Sequence, residues 1–390
     1  MKNRMFIYIV LILLLAILSG CWNRREMDTL AIVQAIGIDK TENGGISLTI
    51  QIIKPGEIKA PAGGTEGGGG KGVWTLTSTG ETVFDAFRNA TTQSDRKLFL
   101  PFMKAVVIGE AAAQSGIIPL VDFLDRDHES RRLSYVFIAR GNAKDIIEAE
   151  HEQETIPAKG IEGLARATFA TSKIPKVNLH EFLKTLASKT SDPFLPGIET
   201  IKKQDEEKVK KVMKLDGTAI FKNDELMGWF DGKETRGLLW VLGEVKSGII
   251  IVRSPQDETK KVSLEIIQAS SKVKPEIIDD KILMTVKVKV DSNIGEQMSQ
   301  ADLTKPSNFK ELEKRQAAVI EEEVHAALGK AKSWDVDIFK FGEAVHRKFP
   351  KDWVELEKKW KEVFKDIQVK AEIESELRRI GMSNTPVEDD

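Results

Sequence analysis

The mature part of the chain reads as short apolar segments separated by polar turns. Ala31 to Ile38 is mostly apolar and ends at Gly37-Ile38-Asp39. Ile46, Leu48, Ile50 and Ile52 alternate with Ser47, Thr49 and Gln51, the period of a half-buried strand. Asn43-Gly44 between the two runs predicts a hairpin turn. Val73–Thr79, Ala105–Ile108 and Tyr135–Ala139 read as further strands. Val83, Phe84, Phe87 and Ala90 have helical spacing, and Ile117–Leu124 also reads as helix. Residues 142–190 look helical, with Asn178 and Glu181 in a capping-box pattern, until Ser191-Asp192-Pro193 and Leu195-Pro196-Gly197 break the run. This alternation predicts an α+β fold with several domains, mixed or antiparallel sheets and flanking helices.

The second half repeats the grammar. Gly217–Phe221 and Leu226–Phe230 flank Asn223-Asp224 and predict a hairpin. Leu238, Leu239, Trp240 and Leu242 suggest a short buried helix ending at Gly243. Ile249–Val252 reads as an apolar strand. The runs around Val262–Ile266 and Ile282–Val290 alternate, as strands with one face in water do. Asn308 with Glu311 predicts the start of a long helix striped by Phe309, Leu312, Val319, Ile320, Val324, Ala327 and Leu328. A second helix carries Ile338, Phe341 and Val345. Asp352 with Glu355 opens a third, with Trp353, Leu356, Trp360 and Phe364 on one side, and Ile367–Ile373 alternates as a closing strand. The Trp353/Trp360 stripe suits a core, or a groove for a partner. Residues 202–211 are dominated by Lys, Glu and Asp, which places a boundary there. The expected divisions are a leader at 1–20, an N-terminal region at 21–205 of one or two domains with a Gly-rich loop at 56–72, a C-terminal α+β domain at 206–382, and a disordered tail at 383–390.

The leader changes the picture most. Lys2 and Arg4 precede an apolar run from Met5 to Leu18, followed by Leu18-Ser19-Gly20-Cys21. A charged start, a short apolar stretch and a small-residue cleavage site make a secretory signal. Leu-Ser-Gly-Cys is the lipobox of bacterial lipoprotein precursors. The thiol of Cys21 takes a diacylglyceryl group, and cleavage before it leaves Cys21 as the first residue. An uncleaved membrane span needs about 20 apolar residues, more than this run supplies. Two acyl chains hold where one chain binds only marginally. Trp22 suits a membrane interface. Arg24 and Arg25 suit anionic headgroups or an ordinary solvated surface.

Composition narrows the rest. The 390 residues carry 58 basic and 60 acidic side chains, a net charge of -2, so no basic footprint for nucleic acid exists. Cys21 is the only cysteine, which rules out a disulfide within the chain. The segment ending Gly70-Lys71 is no phosphate loop, since Thr65 stands at the first glycine position and Gly72 where a hydroxyl would hold magnesium. His128, His151, His180, His325 and His346 form no HExxH pattern and read as solvated. Asp122, Asp125, Asp127 and Glu129 offer carboxylates but nothing that selects a catalytic pair. No Gly-x-Ser-x-Gly elbow occurs. The expectation is a non-enzymatic protein with no cofactor and no metal, soluble after Cys21.

Several segments together resemble one family. They are Leu18–Trp22, Ala35–Asp39, Val107-Ile108-Gly109-Glu110, Val121–Leu124, Phe221–Asp224, Gly228-Trp229, Thr235-Arg236-Gly237-Leu238-Leu239-Trp240, Asp337-Ile338-Phe339 with Phe341-Gly342, His346–Lys348, and Trp353 near Trp360. In this order they resemble the Ger(x)C lipoproteins, the C subunits of spore germinant receptors. The resemblance implies several mixed α/β domains, no catalytic site, and attachment through Cys21 to the outer face of the spore inner membrane. The implied partners are the receptor's A and B membrane subunits. Asn23 stands where many relatives show Asp. The alternative reading is a lipoprotein solute-binding protein of an importer, whose two lobes would meet near residue 205. A cell-wall hydrolase is the third.

Overall fold

The computed structural model describes residues 3–6, 8, 26–57, 72–205, 208–279, 281–303 and 305–379. Cys21, most of the Gly-rich loop and the expected tail at 383–390 lie outside the described residues.

The chain enters through β1 (Leu30–Lys40), turns at Asn43-Gly44 into β2 (Ile46–Ile53) and continues to β3 (Val73–Gly80). Helix α1 (Val83–Asn89) leads to the short β4 (Lys97–Phe99) and to β5 (Ala105–Gly109). Helices α2 (Glu110–Gln114) and α3 (Ile118–Arg126) precede β6 (Tyr135–Ala139). The span expected as continuous helix is instead α4 (Ala143–Glu148), α5 (Pro157–Ala167) and α6 (Leu179–Leu186) with loops between them. Pro157 and Pro175 interrupt the backbone hydrogen bonding that one long helix requires. The capping box at Asn178 and Glu181 forms as the spacing predicts.

Next come β7 (Phe194–Asp205), β8 (Lys208–Lys222) and β9 (Glu225–Phe230). Leu195-Pro196-Gly197 is therefore strand rather than breaker. The β7–β8 register shifts between Pro196 and Ile198, where a bulge accommodates a residue without N–H. The charged segment expected as a domain boundary is the end of this hairpin, inside one sheet. The strands join in the order β3-β2-β1-β5-β6-β7-β8-β9, with β4 beside β1. The change of sheet comes across α7 (Gly232–Leu242), before β10 (Gly248–Arg253).

The first sheet is covered on both faces. Ile36, Ile38, Val106, Ile108 and Ile138 face one core with α1, α3 and α6, and Ala35, Val107 and Phe137 face a second with α4 and α5. This overturns the reading of β2 as a strand with a wet face. Gln51 and Thr49 are fully buried. Gln51 Nε2 donates to the Ile147 carbonyl at 2.9 Å, and its Oε1 accepts from Ala158 N at 3.0 Å, so the amide joins α4 to the start of α5. A buried amide is tolerated because its donor and acceptor are both satisfied.

The second sheet runs β10-β11-β12-β13, from β11 (Lys261–Ile278) and β12 (Lys281–Gln297) to β13 (Gln368–Arg379). Its inner face packs on α8 (Pro306–Trp334) through Leu264, Val286, Val288, Leu312, Ile320 and Val324. Its outer face is wet, as the alternation predicts, with Lys287–Glu372 at 2.6 Å and Lys289–Glu374 at 2.5 Å. Helix α8 starts three residues earlier than a cap at Asn308 implies, because Pro306 takes the first turn. Asn308 Nδ2 instead donates to the Asp302 carbonyl at 2.6 Å. Asp352 likewise caps nothing. Helices α9 (Phe341–Lys348), α10 (Pro350–Leu356) and α11 (Trp360–Asp366) follow, and Pro350 opens α10. Trp353 and Trp360 are buried at 3% exposure each, which decides for core over partner groove.

Helices α7 and α8 meet at Gly237, where an added Cβ would lie 2.0 Å from the Glu323 carbonyl oxygen. Alanine is the better helix former by about 1 kcal/mol, yet here overpacking costs about 1–3 kcal/mol. Gly237→Ala is therefore expected to lower the denaturation midpoint, and a raised midpoint would show that the helices are not in this close contact.

Candidate functional site

The segments that carry the resemblance fold into three buried polar junctions. The first lies at the C-terminal ends of the parallel strands. Asp39, at the end of Gly37-Ile38-Asp39, accepts from Ala143 N at 2.7 Å and Lys144 N at 2.9 Å, so it caps α4 from a distant strand. Burial raises its pKa, and those two N–H donors oppose the rise. Gly109 permits the approach, since a Cβ there would sit 2.1 Å from Asp39 Oδ1. Beside it Glu110 Oε1 accepts from Trp229 Nε1 at 2.9 Å, and the Arg140 guanidinium covers the Trp229 ring at 4.1 Å.

The second junction is made by Thr235–Trp240 on α7. Thr235 Oγ1 meets Thr218 Oγ1 at 2.8 Å. Arg236 makes a two-point contact with Glu323 of α8, Nε to Oε2 at 2.9 Å and Nη2 to Oε1. Its Nη1 donates to the Ile249 carbonyl at 3.0 Å, and Trp240 Nε1 donates to Glu323 Oε2 at 2.9 Å. Both charged side chains are almost fully buried. Glu323, like Gln316 on the same helix, which donates to Ser292 Oγ at 2.7 Å, is a buried polar position that the apolar stripe concealed; each stands three or four residues from buried stripe members.

The third joins Asp192 to Asp337. Asp192 N donates to the Asp337 carbonyl at 3.0 Å, and Asp192 Oδ2 accepts from Asp337 N at 2.9 Å. Asp192 Oδ1 accepts from Asn223 N at 2.9 Å. The Asp337 carboxylate accepts from Phe339 N, Phe341 N and Gly342 N, and from Trp360 Nε1 at 3.1 Å. Burial lifts the Asp337 carboxyl up to about 7 despite the N–H groups of Gly342, Phe341 and Trp360, and neighbouring Asp192 adds to the lift.

These groups are consumed by structural contacts and leave no nucleophile beside a base. The same holds for the sequence-predicted candidates. Asp122 pairs with Arg126 at 2.8 Å, Asp125 with Arg132 at 2.6 Å and Glu129 with Lys97 at 2.6 Å, while Asp127 accepts from Glu129 N. His128, His180, His325 and His346 are exposed, as expected. His151 is not: it is half-buried, its ring packed on Gly160. No group of three or more His, Cys, Asp or Glu that could hold a metal ion occurs among the described residues. A cavity of about 410 Å³ opens between α6 and the segment after α7, with Arg166, Lys176, Lys246 and Lys340 facing Glu181 and Glu244. Desolvation there raises the Glu244 pKa, with Lys340 countering it. Mixed charge of this kind suits binding of a polar surface.

Comparison with known proteins gives the same outline across the whole length. Residues 23–200 match the family described as spore germination protein N-terminal domain, and residues 216–381 match the spore germination B3/GerAC-like C-terminal family. Spore germination protein KC of Bacillus subtilis (strain 168) is 29% identical, over 99% of this chain and 98% of that protein. Spore germination protein B3 of the same organism is 24% identical, over 95% and 97%. The crystal structure of the GerBC protein aligns with a TM-score of 0.56 at 19% identity, covering 88% of this chain and 96% of that one, a likeness of fold.

The third junction sets a pH dependence. The folded-state pKa of Asp337 lies above the ordinary aspartate value near 3.9, so the folded state holds the proton more tightly. That contribution is complete below about pH 4 and is lost as pH rises through about 7. Wild type is expected to lose on the order of 4 kcal/mol relative to Asp337→Asn between pH 4 and 8. Urea unfolding across that range checks it, and parallel curves for the two proteins would refute the assignment.

Proposed function

This chain belongs to the Ger(x)C family of spore germination proteins, and we propose that it serves as the lipid-anchored, non-enzymatic subunit of a spore germinant receptor. The observation that supports this most is where the shared segments go. Asp39, Glu110, Arg236, Trp240, Asp337 and Trp360 are all spent on internal junctions. A body so built offers surfaces rather than reactive groups, which suits assembly and signalling among subunits.

In this reading Cys21 carries the diacylglyceryl group and begins the mature chain. No helix among the described residues is long and apolar enough to cross a membrane. In this reading the acyl chains on Cys21 supply the attachment, to the outer face of the spore inner membrane. Confinement to a thin layer raises the effective concentration of the body towards the A and B membrane subunits, a gain that needs no new contact. The mixed-charge cavity would fit a solute-binding lipoprotein as well. The family membership and the match over nearly the whole chain favour the receptor subunit.

Cys21→Ala separates anchoring from folding. The variant is expected to leave the spore membrane fraction and to lose response to germinant, while its circular dichroism matches wild type. A variant that remains membrane-bound and unlipidated, with germination intact, would end the anchor mechanism.

A further inference from the structure

Parallel strands place their entry segments at one end of a sheet. β1, β4, β5 and β6 run parallel, with Leu30 paired to Lys97, Ala35 to Ala105 and Ala105 to Tyr135. Cross-links make the entry segments one surface. Lys97 reaches Glu129 at 2.6 Å, and Gln34 Nε2 donates to the Phe102 carbonyl at 3.4 Å. The Phe99 and Phe102 rings lie 5.9 Å apart, and the Arg131 guanidinium sits 6.0 Å from the Phe102 ring. Ser134 Oγ donates to the Met103 carbonyl at 2.8 Å.

This end carries large apolar side chains in water. Met27 is 74% exposed, Phe102 47% and Leu133 75%. Exposed Arg96, Lys97, Arg131 and Arg132 stand among them, with Asp28, Asp95 and Asp125 also exposed. Glu129 and Asp125 neutralise Lys97 and Arg132. Arg96 and Arg131 have no ion pair closer than 4.0 Å among the described residues, and exposed Asp28 and Asp95 balance their charge, so attraction of this end to a bilayer rests on the apolar side chains, with the two guanidiniums as local phosphate donors. Single exposed apolar residues are ordinary, but here Phe102 and Leu133 line one depression with Arg131 and Met27 lines another with Arg96, two apolar clusters at the same end of the parallel strands.

The sequence says what lies next to it. Met27 is six residues after Cys21. An extended chain covers at most about 3.6 Å per residue, so Met27 stays within about 22 Å of the acylated sulfur. The far end of β1 lies about 33 Å further on, at about 3.3 Å per residue. Only the Met27 end is kept close to lipid by the length of the connection.

We propose that the surface of Met27, Phe102 and Leu133, with Arg96 and Arg131, rests on the phospholipid bilayer as a second membrane contact and fixes the orientation of the body. This rests on the acylation of Cys21 proposed above. Met27, Phe102 and Leu133 enter the headgroup layer, and the two guanidiniums reach lipid phosphates while Arg131 keeps its place over the Phe102 ring. The parallel strands then point away from the membrane. The Asn43-Gly44 turn and the β7–β8 hairpin, which runs past the last β6 pairing at Ile198, occupy the distal end where partner subunits would meet them.

The chain suits a direct test, because its only thiol is the one consumed by acylation. Leu133→Cys and, as the distal control, Asn43→Cys each introduce a single reactive thiol at an exposed position. The full-length lipidated variants are labelled with a fluorophore in vesicles of phosphatidylcholine and phosphatidylglycerol that contain a headgroup quencher. Quenching several-fold stronger at position 133 than at position 43 is expected. Equal quenching on a chain shown by mass spectrometry to be acylated would overturn the orientation and leave the anchor standing. A bare, unprocessed N-terminus would overturn the anchor and the orientation with it.

Discussion

The fold depends on one ion pair held out of water. Arg236 and Glu323 join the helix that follows the first sheet to the long helix that supports the second. Burying two charges is costly, and the cost is offset only when geometry is good and the remaining donors and acceptors are satisfied. Here both conditions hold. The guanidinium spends its third nitrogen on the Ile249 carbonyl of the second sheet's edge strand, and the carboxylate takes a further proton donor from Trp240. The pair therefore links α7, α8 and β10 at one point, and Gly237 lets the two helix backbones come close enough for it to form.

A second join holds the other side of the same boundary. Asp192 follows α6 and Asp337 follows α8; Asp192 N donates to the Asp337 carbonyl, and Asp337 N donates to the Asp192 carboxylate. The Asp337 carboxylate then organises the turn into α9 and the indole of Trp360. The first and second sheets thus share both joins and one continuous apolar core.

Such a body gains meaning from how it is presented. A tether alone would leave it free to tumble above the lipid. A tether at Cys21 together with an apolar end near Met27, Phe102 and Leu133 would give it a bottom and a top. The outer face of the second sheet carries Lys–Glu pairs between β12 and β13, while Ile249 and Ile251 of the edge strand β10 are exposed.

Sequence by itself determined the elements whose signal is local. The Asn43-Gly44 and Asn223-Asp224 turns, the Asn178–Glu181 capping box and the alternating β12 all depend on neighbours within a few residues, and they fold as their periodicity states. The same local grammar carries the lipobox at Cys21 and the resemblance to the family. Tertiary structure decided the rest. Polar Gln51 is buried because two helices from a hundred residues away offer it partners. The charged run near residue 205 is a hairpin because its strands extend a sheet begun elsewhere. Glu323 looks like one more helix-surface acid until Arg236 and Trp240 arrive opposite it, since pairing across the fold leaves no trace in the spacing along the chain.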